Sequence, residues 1–215
     1  MRYLPSKPDT APQFTLVLDL DETLIHYAAN HNETMQTEEN ESFTEDHKRD
    51  SPSKKSLEES PEARALTEED ESVVFYIRPG LNSFLSNLSH HYELVLYTAA
   101  TREYADYFLR LIDHKGLFKN NILTREHCVF ENEYAIKDLR LLGRDLRKTL
   151  IIDNLKDNFD KTTPDNGIHI TNFEGCFDDE ELPKYEAFLT KMAMNDVDDV
   201  RNVIYDYRDR WEEYE

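Results

Sequence analysis

A short apolar run followed at once by an acidic motif is the feature that most constrains this chain. The run is FTLVL (14–18), and the motif is DLDET (19–23). Side chains alternate along a strand, so Asp19 and Asp21 point to the same side of the chain. Ending a buried strand with two acids is costly unless a cation or a reacting group faces them. The motif is therefore either a site of chemistry or a strand that runs into an acidic turn.

Phosphoryl transfer through an aspartyl-phosphate is the chemistry that suits two such carboxylates. One carboxylate attacks phosphorus, and the other handles the proton. Mg²⁺ neutralises the crowded negative charge, and its preference for oxygen ligands fits the residue types present.

The rest of the chain alternates strand-like runs with helical patterns. Strands are predicted at 92–97, 128–130, 149–152 and 167–170, and helices from 81, over 101–114, and near 180–193 and 197–211. This order predicts an α/β fold, a doubly wound, mostly parallel sheet with helices on both faces. Ligands bind beyond the carboxyl ends of such strands. Three strands end in polar residues that would meet there: Asp19 and Asp21, Thr98, and Asp153 with Asn154.

The domain boundaries follow from a change in composition. Residues 28–72 hold 14 acids against 5 lysines and arginines. Such a segment buries too little apolar area to offset its ordering entropy, so most of it is predicted to be a flexible insertion. The runs at 24–27 and 73–77 are expected to pair across it as a small β-hairpin after the first strand. Residues 1–12 are predicted to be a tail, 13–193 the domain, and 194–215 a C-terminal helix packed on it.

Composition excludes several classes of function. A net charge of −20 argues against nucleic acid or an anionic membrane as the main partner. The 5 glycines form no phosphate-binding loop of the P-loop kind. Only two cysteines occur, which indicates a reducing compartment, and both are predicted to be buried apolar residues. We expect no membrane-spanning segment. We also expect the protein to be a monomer.

Several ordered blocks resemble the FCP/SCP-type phosphatases of the haloacid-dehalogenase superfamily, which act on phosphoserine in the C-terminal repeats of RNA polymerase II. The matching blocks are LDLDETLIH (18–26), RPG (78–80), LYTAA (96–100), REHCVF (125–130), YAIKDL (134–139), LGRDLRKT (142–149) and IIDN (151–154). The resemblance covers about 10–193 outside the insertion. It implies a Mg²⁺-dependent protein serine/threonine phosphatase, with the nucleus favoured over the cytoplasm.

The resemblance also implies roles for the acidic motif. Asp19 would be the nucleophile and a Mg²⁺ ligand. Asp21 would protonate the leaving oxygen and then activate water, while its backbone carbonyl binds the metal. Thr23 would orient Asp21 by a hydrogen bond.

The remaining site residues follow from the same resemblance. Thr98 would donate its hydroxyl to a phosphoryl oxygen, and Lys137 would pair with Asp19 and the phosphoryl group. Asn154 would complete the metal shell, which Asp153 supports indirectly or through water. Two further positions, Tyr104 and Arg125, resemble substrate-binding positions, although an aromatic on a helix and an arginine in a loop also serve packing and solubility.

Two other functions remain open at this point. One is a non-catalytic binding module on the same fold, like the mitochondrial translocase relative of this family. The other is a small-molecule phosphatase of the same superfamily. Intact site residues argue against the first. The lack of a large cap domain beyond the insertion argues against the second, because an open site favours a protein substrate.

Overall fold

The computed structural model describes residues 2–29, 63–65, 73–132 and 134–211. Its strands are β1 (Phe14–Leu18), β2 (Ile25–Ala29), β3 (Ala63–Ala65), β4 (Val73–Ile77), β5 (Tyr92–Tyr97), β6 (Ile122–Leu123), β7 (Val129–Glu131), β8 (Tyr134–Ile136), β9 (Thr149–Asp153) and β10 (Gly167–His169). Its α-helices are α1 (Leu81–Leu88), α2 (Arg102–Ile112), α3 (Asp157–Asp160), α4 (Glu181–Met194) and α5 (Val200–Trp211).

Five of these strands form one parallel sheet in the order β10-β9-β1-β5-β6. The first strand lies at its centre, where Leu16 pairs with Leu94 of β5 and with Leu150 of β9. Every residue of β1 is buried, which explains why its sequence is mostly apolar instead of alternating. The chain adds β5 and β6 on one side of β1 and then β9 and β10 on the other. The carboxyl end of β1 therefore lies where the strand order reverses, which is the point where this fold places ligands.

Helical structure covers both faces of the sheet. One face, with Leu16 and Leu18, packs against the long helices α1, α2, α4 and α5. The opposite face, with Val17 and Ile151, packs against Leu4 and short helical turns. The predicted doubly wound α/β architecture is confirmed.

The predicted apolar faces of the first two helices are confirmed. The buried residues are Leu81, Phe84, Leu85 and Leu88 in α1, and Ala105, Phe108, Leu109 and Ile112 in α2. Helix α2 begins after Thr101, whose side chain accepts a hydrogen bond from the backbone N–H of Tyr104, as expected of an N-cap.

The predicted run at 128–130 does not join the main sheet. Val129 and Phe130 instead belong to β7, which pairs antiparallel with β8 in a separate hairpin, and all three side chains of β7 are exposed. The strand that pairs with β5 at this edge of the main sheet is instead β6, only two residues long and too short to be recognised from periodicity. The cysteine prediction also fails, because Cys128 is only partly buried and Cys176 is exposed.

A small antiparallel sheet follows β1, with the order β2-β4-β3. The expected hairpin is present, since Ile25 pairs with Ile77 and Tyr27 with Phe75. Residues 63–65 of the predicted insertion form a third strand against β4, so this part of the segment is ordered. The remainder of the predicted flexible insertion, 30–62 and 66–72, lies outside the described residues.

The N-terminal residues differ from the predicted tail, because they pack along the domain. Leu4 is buried in the second core, and the Tyr3 N–H donates to the carbonyl of Leu141. The Lys7 ammonium donates to the carbonyls of Pro12 and Phe14. A hydrophobic anchor and a lysine that binds backbone oxygens therefore order a segment whose composition is typical of a tail.

Candidate active site

The acidic motif lies at the carboxyl end of the central strand, as predicted. The Asp19 N–H donates to the carbonyl of Ile152, which extends the pairing of β1 with β9 by one residue. The chain then turns tightly, with the N–H of Leu24 bonded to the carbonyl of Leu20. This turn leaves Asp19 buried, with 6% of its surface exposed, and Asp21 half-buried beside it. The half-buried Asp21 thus lies beside the buried Asp19, and we call the surface at these two carboxylates the opening.

Lys137 connects two carboxylates beneath this opening. Its ammonium donates to Asp19 Oδ1 and to Asp153 Oδ2, the latter at 2.6 Å. The lysine is completely buried, as are its sequence neighbours Ile136 and Asp138. A buried ammonium is stable only when it is paired, and here two acids pair with it. Strand β8 therefore delivers this one cation to the end of β1.

The Asp153 carboxylate is held on both oxygens. Oδ2 accepts from Lys137, while Oδ1 accepts from the backbone N–H of Leu155 at 2.8 Å and from the Asn158 amide at 3.2 Å. The backbone carbonyl of Asn158 also accepts a hydrogen bond of 2.7 Å from the backbone N–H of Lys137. These bonds occupy Asp153, so in this arrangement its part is to hold Lys137 in place.

Asn154 presents an oxygen to the same opening. Its Nδ2 donates to Asn172 Oδ1 at 3.1 Å, which directs its Oδ1 toward the acidic motif. That Oδ1 lies 3.2 Å from the Thr23 hydroxyl, which also donates to Asp19 Oδ2 at 3.0 Å. Two oxygens, one from Asp19 and one from Asn154, thus converge on a single hydroxyl group. A carboxylate and an amide oxygen at one point fit Mg²⁺, which prefers oxygen ligands. Across the described ranges, no three His, Cys, Asp or Glu side chains group as a metal site.

The partner predicted for Thr23 is wrong. Thr23 was expected to orient Asp21, but its hydroxyl faces Asp19, since the turn brings it back under the strand end. The partners of Asp21 are instead the Tyr104 hydroxyl, 2.6 Å from Oδ1, and the Thr98 hydroxyl, 3.5 Å from Oδ2. Both come from β5 and the start of α2, a different part of the chain.

Burial controls the charges of the three central groups. It raises the pKa of Asp19 to about 7, an effect that Lys137 opposes and that Asp153 reinforces. It also raises the pKa of Asp21, which the hydrogen bond from Tyr104 partly offsets. Burial alone would lower the pKa of Lys137, but Asp153 and Asp19 outweigh it and raise that pKa. Among the residues that the structure describes, one ammonium therefore serves three carboxyl groups, a deficit of positive charge that a divalent cation would correct.

Arg125 lies apart from this network. Its guanidinium is exposed, 3.5 Å from the carbonyl of Ala99 and 4.6 Å from the centre of the Phe130 ring. It therefore borders the Thr98 loop without a described bond to any of the carboxylates. The other predicted site residues are all brought together: Asp19, Asp21, Thr98, Tyr104, Lys137, Asp153 and Asn154.

Sequence reasoning assigned no role to two residues that support the site. One is Asn158, described above, which lies in a short helix with no motif to mark it. The other is Arg78, a completely buried arginine that donates to the carbonyl of Thr23 at 3.1 Å and forms two bonds of 2.9 Å and 2.8 Å with Asp179. An arginine directly after the apolar strand VVFYI (73–77) was the available signal.

The sequence as a whole matches a known family. The model of the NLI interacting factor-like phosphatase family matches residues 14–201. The chain belongs to this family. The match includes every residue of the predicted site, and it agrees with the FCP/SCP-type resemblance within the haloacid-dehalogenase superfamily.

Two relatives and one solved structure are similar to this chain. The translocase subunit TIM50 of the mitochondrial inner membrane import machinery of Candida glabrata is 37% identical over 135 residues, which are 63% of this chain and 27% of that protein. The CTD small phosphatase-like protein 3 of Caenorhabditis elegans is 31% identical over 210 residues, 96% of this chain and 64% of that protein. The structure of the fission yeast RNA polymerase II CTD phosphatase Fcp1, bound to beryllium fluoride, has a TM-score of 0.53 at 23% identity and covers 94% of this chain and 56% of that one.

These matches fix the family and the fold. The chain spans about a quarter of the translocase subunit and less than two thirds of the phosphatase-like protein. None of the helices that the structure describes is long and apolar enough to cross a bilayer.

Proposed function

We propose that this protein is a Mg²⁺-dependent protein serine/threonine phosphatase that acts through an aspartyl-phosphate on Asp19. The observation that carries the proposal is the buried ammonium of Lys137, held between Asp19 and Asp153 directly beneath the site opening. A phosphoryl group brings more negative charge to a site that already holds three carboxyl groups. A fixed cation beside the attacking oxygen stabilises that charge where it develops.

In the first step, Asp19 attacks the phosphorus of a phosphoserine. The bond between phosphorus and the serine oxygen breaks, and a bond between phosphorus and an Asp19 oxygen forms. Asp21 gives its proton to the leaving serine oxygen. Burial favours this role, because it raises the pKa of Asp21 and so favours the protonated form of the carboxyl group. Thr98 and Lys137 donate hydrogen bonds to the phosphoryl oxygens.

In the second step, water attacks the phosphorus of the acyl phosphate. Asp21, now ionised, takes a proton from the water, and the bond between phosphorus and Asp19 breaks. Inorganic phosphate leaves, and the protonated Asp21 is ready for another cycle. The two steps need one proton carrier, and the half-buried position of Asp21 beside Asp19 supports that role.

The residues that would hold Mg²⁺ are Asp19, Asn154 and the backbone carbonyl of Asp21. When bound, Mg²⁺ supplies positive charge that neutralises the phosphoryl group and the nucleophile. Asp153 would support the site indirectly, since hydrogen bonds occupy both of its oxygens.

A phosphoprotein is the substrate class that the opening favours. Between β1 and α1 the described residues form one small sheet, β2-β4-β3. A three-stranded sheet of this size is not a large cap domain, so the site is proposed to be open. An extended segment with phosphoserine, such as the C-terminal repeats of RNA polymerase II, would have access to Asp19. The names of the phosphatase relatives support this substrate class. With it we propose a nuclear, monomeric protein.

Turnover of a panel of phosphopeptides tests the proposal. Peptides with phosphoserine, phosphothreonine or phosphotyrosine are compared with and without Mg²⁺, and sugar phosphates and p-nitrophenyl phosphate are run in parallel. We expect Mg²⁺-dependent release of phosphate, fastest from the phosphoserine and phosphothreonine peptides. Asp19→Asn is the matched control, because it keeps the shape of the side chain.

Two outcomes would replace the proposal. Higher kcat/KM for sugar phosphates than for peptides would identify a small-molecule phosphatase. No turnover of any substrate would favour a non-catalytic binding module. The 37% sequence identity with the translocase subunit supports this alternative. The intact set of site residues argues against that alternative, since a module without catalysis has no need of a buried lysine between two acids.

A further inference from the structure

The hydroxyl of Tyr104 is hydrogen-bonded to the carboxylate of Asp21, which carries the proton in the proposed function. It donates to Asp21 Oδ1 at 2.6 Å. Two contacts fix its direction. The backbone N–H of Tyr104 is bonded to the Thr101 cap at 3.4 Å, and its ring packs against Phe108 one turn later, with centroids 4.7 Å apart.

The two oxygens of Asp21 have different surroundings. Oδ1 accepts the short bond from Tyr104, whereas Oδ2 lies 3.5 Å from the Thr98 hydroxyl, at the limit of a hydrogen bond. The Thr98 oxygen itself accepts the N–H of Ala100 at 3.0 Å, so its hydroxyl hydrogen is its one remaining donor. In the proposed function Thr98 gives this hydrogen to the phosphoryl group. Oδ2 is then released, while Oδ1 stays anchored.

We propose that Tyr104 is a positioning residue that anchors Asp21 for proton transfer in both steps. With Oδ1 held by the phenol, Oδ2 is the oxygen that gives its proton to the serine oxygen and later takes one from water. This differs from the sequence expectation that Tyr104 binds the substrate. The inference rests on the proposed function, because it assumes that Asp21 carries the proton.

Tyr104→Phe is the variant that tests the anchor, since it removes the hydroxyl and keeps the ring against Phe108. Tyr107→Phe is the matched control. Tyr107 lies in the same helix, and its ring also packs against Phe108, with centroids 5.0 Å apart. Its side chain is 37% exposed, and its hydroxyl has no described bond to Asp21. Both variants lose one phenol oxygen from one aromatic cluster, so their melting temperatures should be similar.

Two substrates separate positioning from binding. A phosphoserine peptide has a poor leaving group that needs a proton, whereas p-nitrophenyl phosphate has a good one that does not. We expect Tyr104→Phe to lower kcat for the peptide about tenfold or more, with KM nearly unchanged. With p-nitrophenyl phosphate the first step should keep its rate while hydrolysis slows. Rapid mixing should then show a burst of about one nitrophenolate per enzyme before a slow steady rate.

Three results would overturn the inference. A raised KM with unchanged kcat would assign Tyr104 to substrate binding. Behaviour equal to that of Tyr107→Phe would leave only a packing role, and the proposed function would still stand if the wild-type protein turns over both substrates. Absence of Mg²⁺-dependent turnover in the wild-type protein would remove the proposed function and this inference with it.

Discussion

The ammonium of Lys137 lies 2.6 Å from Asp153 Oδ2, and neither side chain has any exposed surface. The same ammonium also contacts Asp19, so one cation bridges an acid that faces the opening and an acid that does not. Asp153 thereby fixes the position of the lysine, and the lysine fixes the position of the candidate nucleophile.

Replacing Lys137 by Gln should lower both the phosphatase activity and the free energy of unfolding. We expect phosphatase activity to fall at least about a hundredfold, because the phosphoryl charge loses its fixed cation. Two buried carboxylates are left without a counter-charge, which should cost about 3 kcal/mol or more in the free energy of unfolding. Urea unfolding and initial rates measure both effects. Lys161→Gln is the control, since that lysine is 39% exposed and should change neither quantity appreciably.

Asp19→Asn should abolish turnover, because an amide is a poor nucleophile and a weaker metal ligand. A loss of about a thousandfold or more is expected. Mass spectrometry of the trapped acyl phosphate should locate it at Asp19 in the wild-type protein and find none in the variant. Residual activity above about a tenth of wild type would assign the nucleophile to another residue.

Chelation of divalent cations by EDTA should abolish phosphatase activity, and added Mg²⁺ should restore that activity. Asn154→Ala should raise the Mg²⁺ concentration needed for half-maximal activity, because it removes an amide oxygen beside Asp19. The exposed Asn120 offers a control, and Asn120→Ala should leave the Mg²⁺ requirement unchanged. Full activity after chelation, or restoration by zinc alone, would contradict the oxygen-ligand site.

Arg78→Lys should destabilise the domain although it keeps the charge. The guanidinium bonds Asp179 with two nitrogens and also reaches the carbonyl of Thr23, a geometry that an ammonium cannot reproduce. A loss of about 2 kcal/mol in unfolding free energy is expected. Arg102→Lys is the comparison, because its bond to Asp106 is exposed and should contribute less than about 0.5 kcal/mol. Equal effects of the two changes would show that burial of Arg78 does not matter.

Glu93 should make stability depend on pH. It accepts two bonds of 2.7 Å from Arg144 and lies 3.4 Å from Lys7. Burial alone would raise the pKa of Glu93, but Arg144 and Lys7 outweigh it and lower that pKa. Its stabilisation is therefore present above the unfolded pKa of about 4.3 and is lost as pH falls through the lower folded value. Glu93→Gln should be about 2 kcal/mol less stable than wild type at pH 7.

The difference between Glu93→Gln and wild type should shrink as unfolding is measured at pH values below about 4. Glu126→Gln serves as the control, because that side chain is 71% exposed and has no buried partner to lose. If the difference in unfolding free energy stays constant down to low pH, the charge of Glu93 contributes nothing to stability.

Local pattern was sufficient for the main elements of the fold. The apolar run of β1 and the buried faces of α1 and α2 were predictable, because the spacing of apolar residues is visible in the sequence. The positions of Asp19, Thr98 and Asp153 at strand ends were also predictable, since parallel strands bring their carboxyl ends to one edge.

Only the tertiary structure decided which partner each of these residues has. Thr23 was assigned to Asp21 and in fact bonds Asp19, because the direction of a hydroxyl depends on how a turn closes and not on spacing. The bond from Tyr104 to Asp21 joins residues 83 positions apart, and Arg78 joins residues on either side of it. The sequence by itself determined the strand ends that carry the chemistry. The network that holds them is made of long-range hydrogen bonds between buried groups, and such bonds leave no periodic signal along a chain.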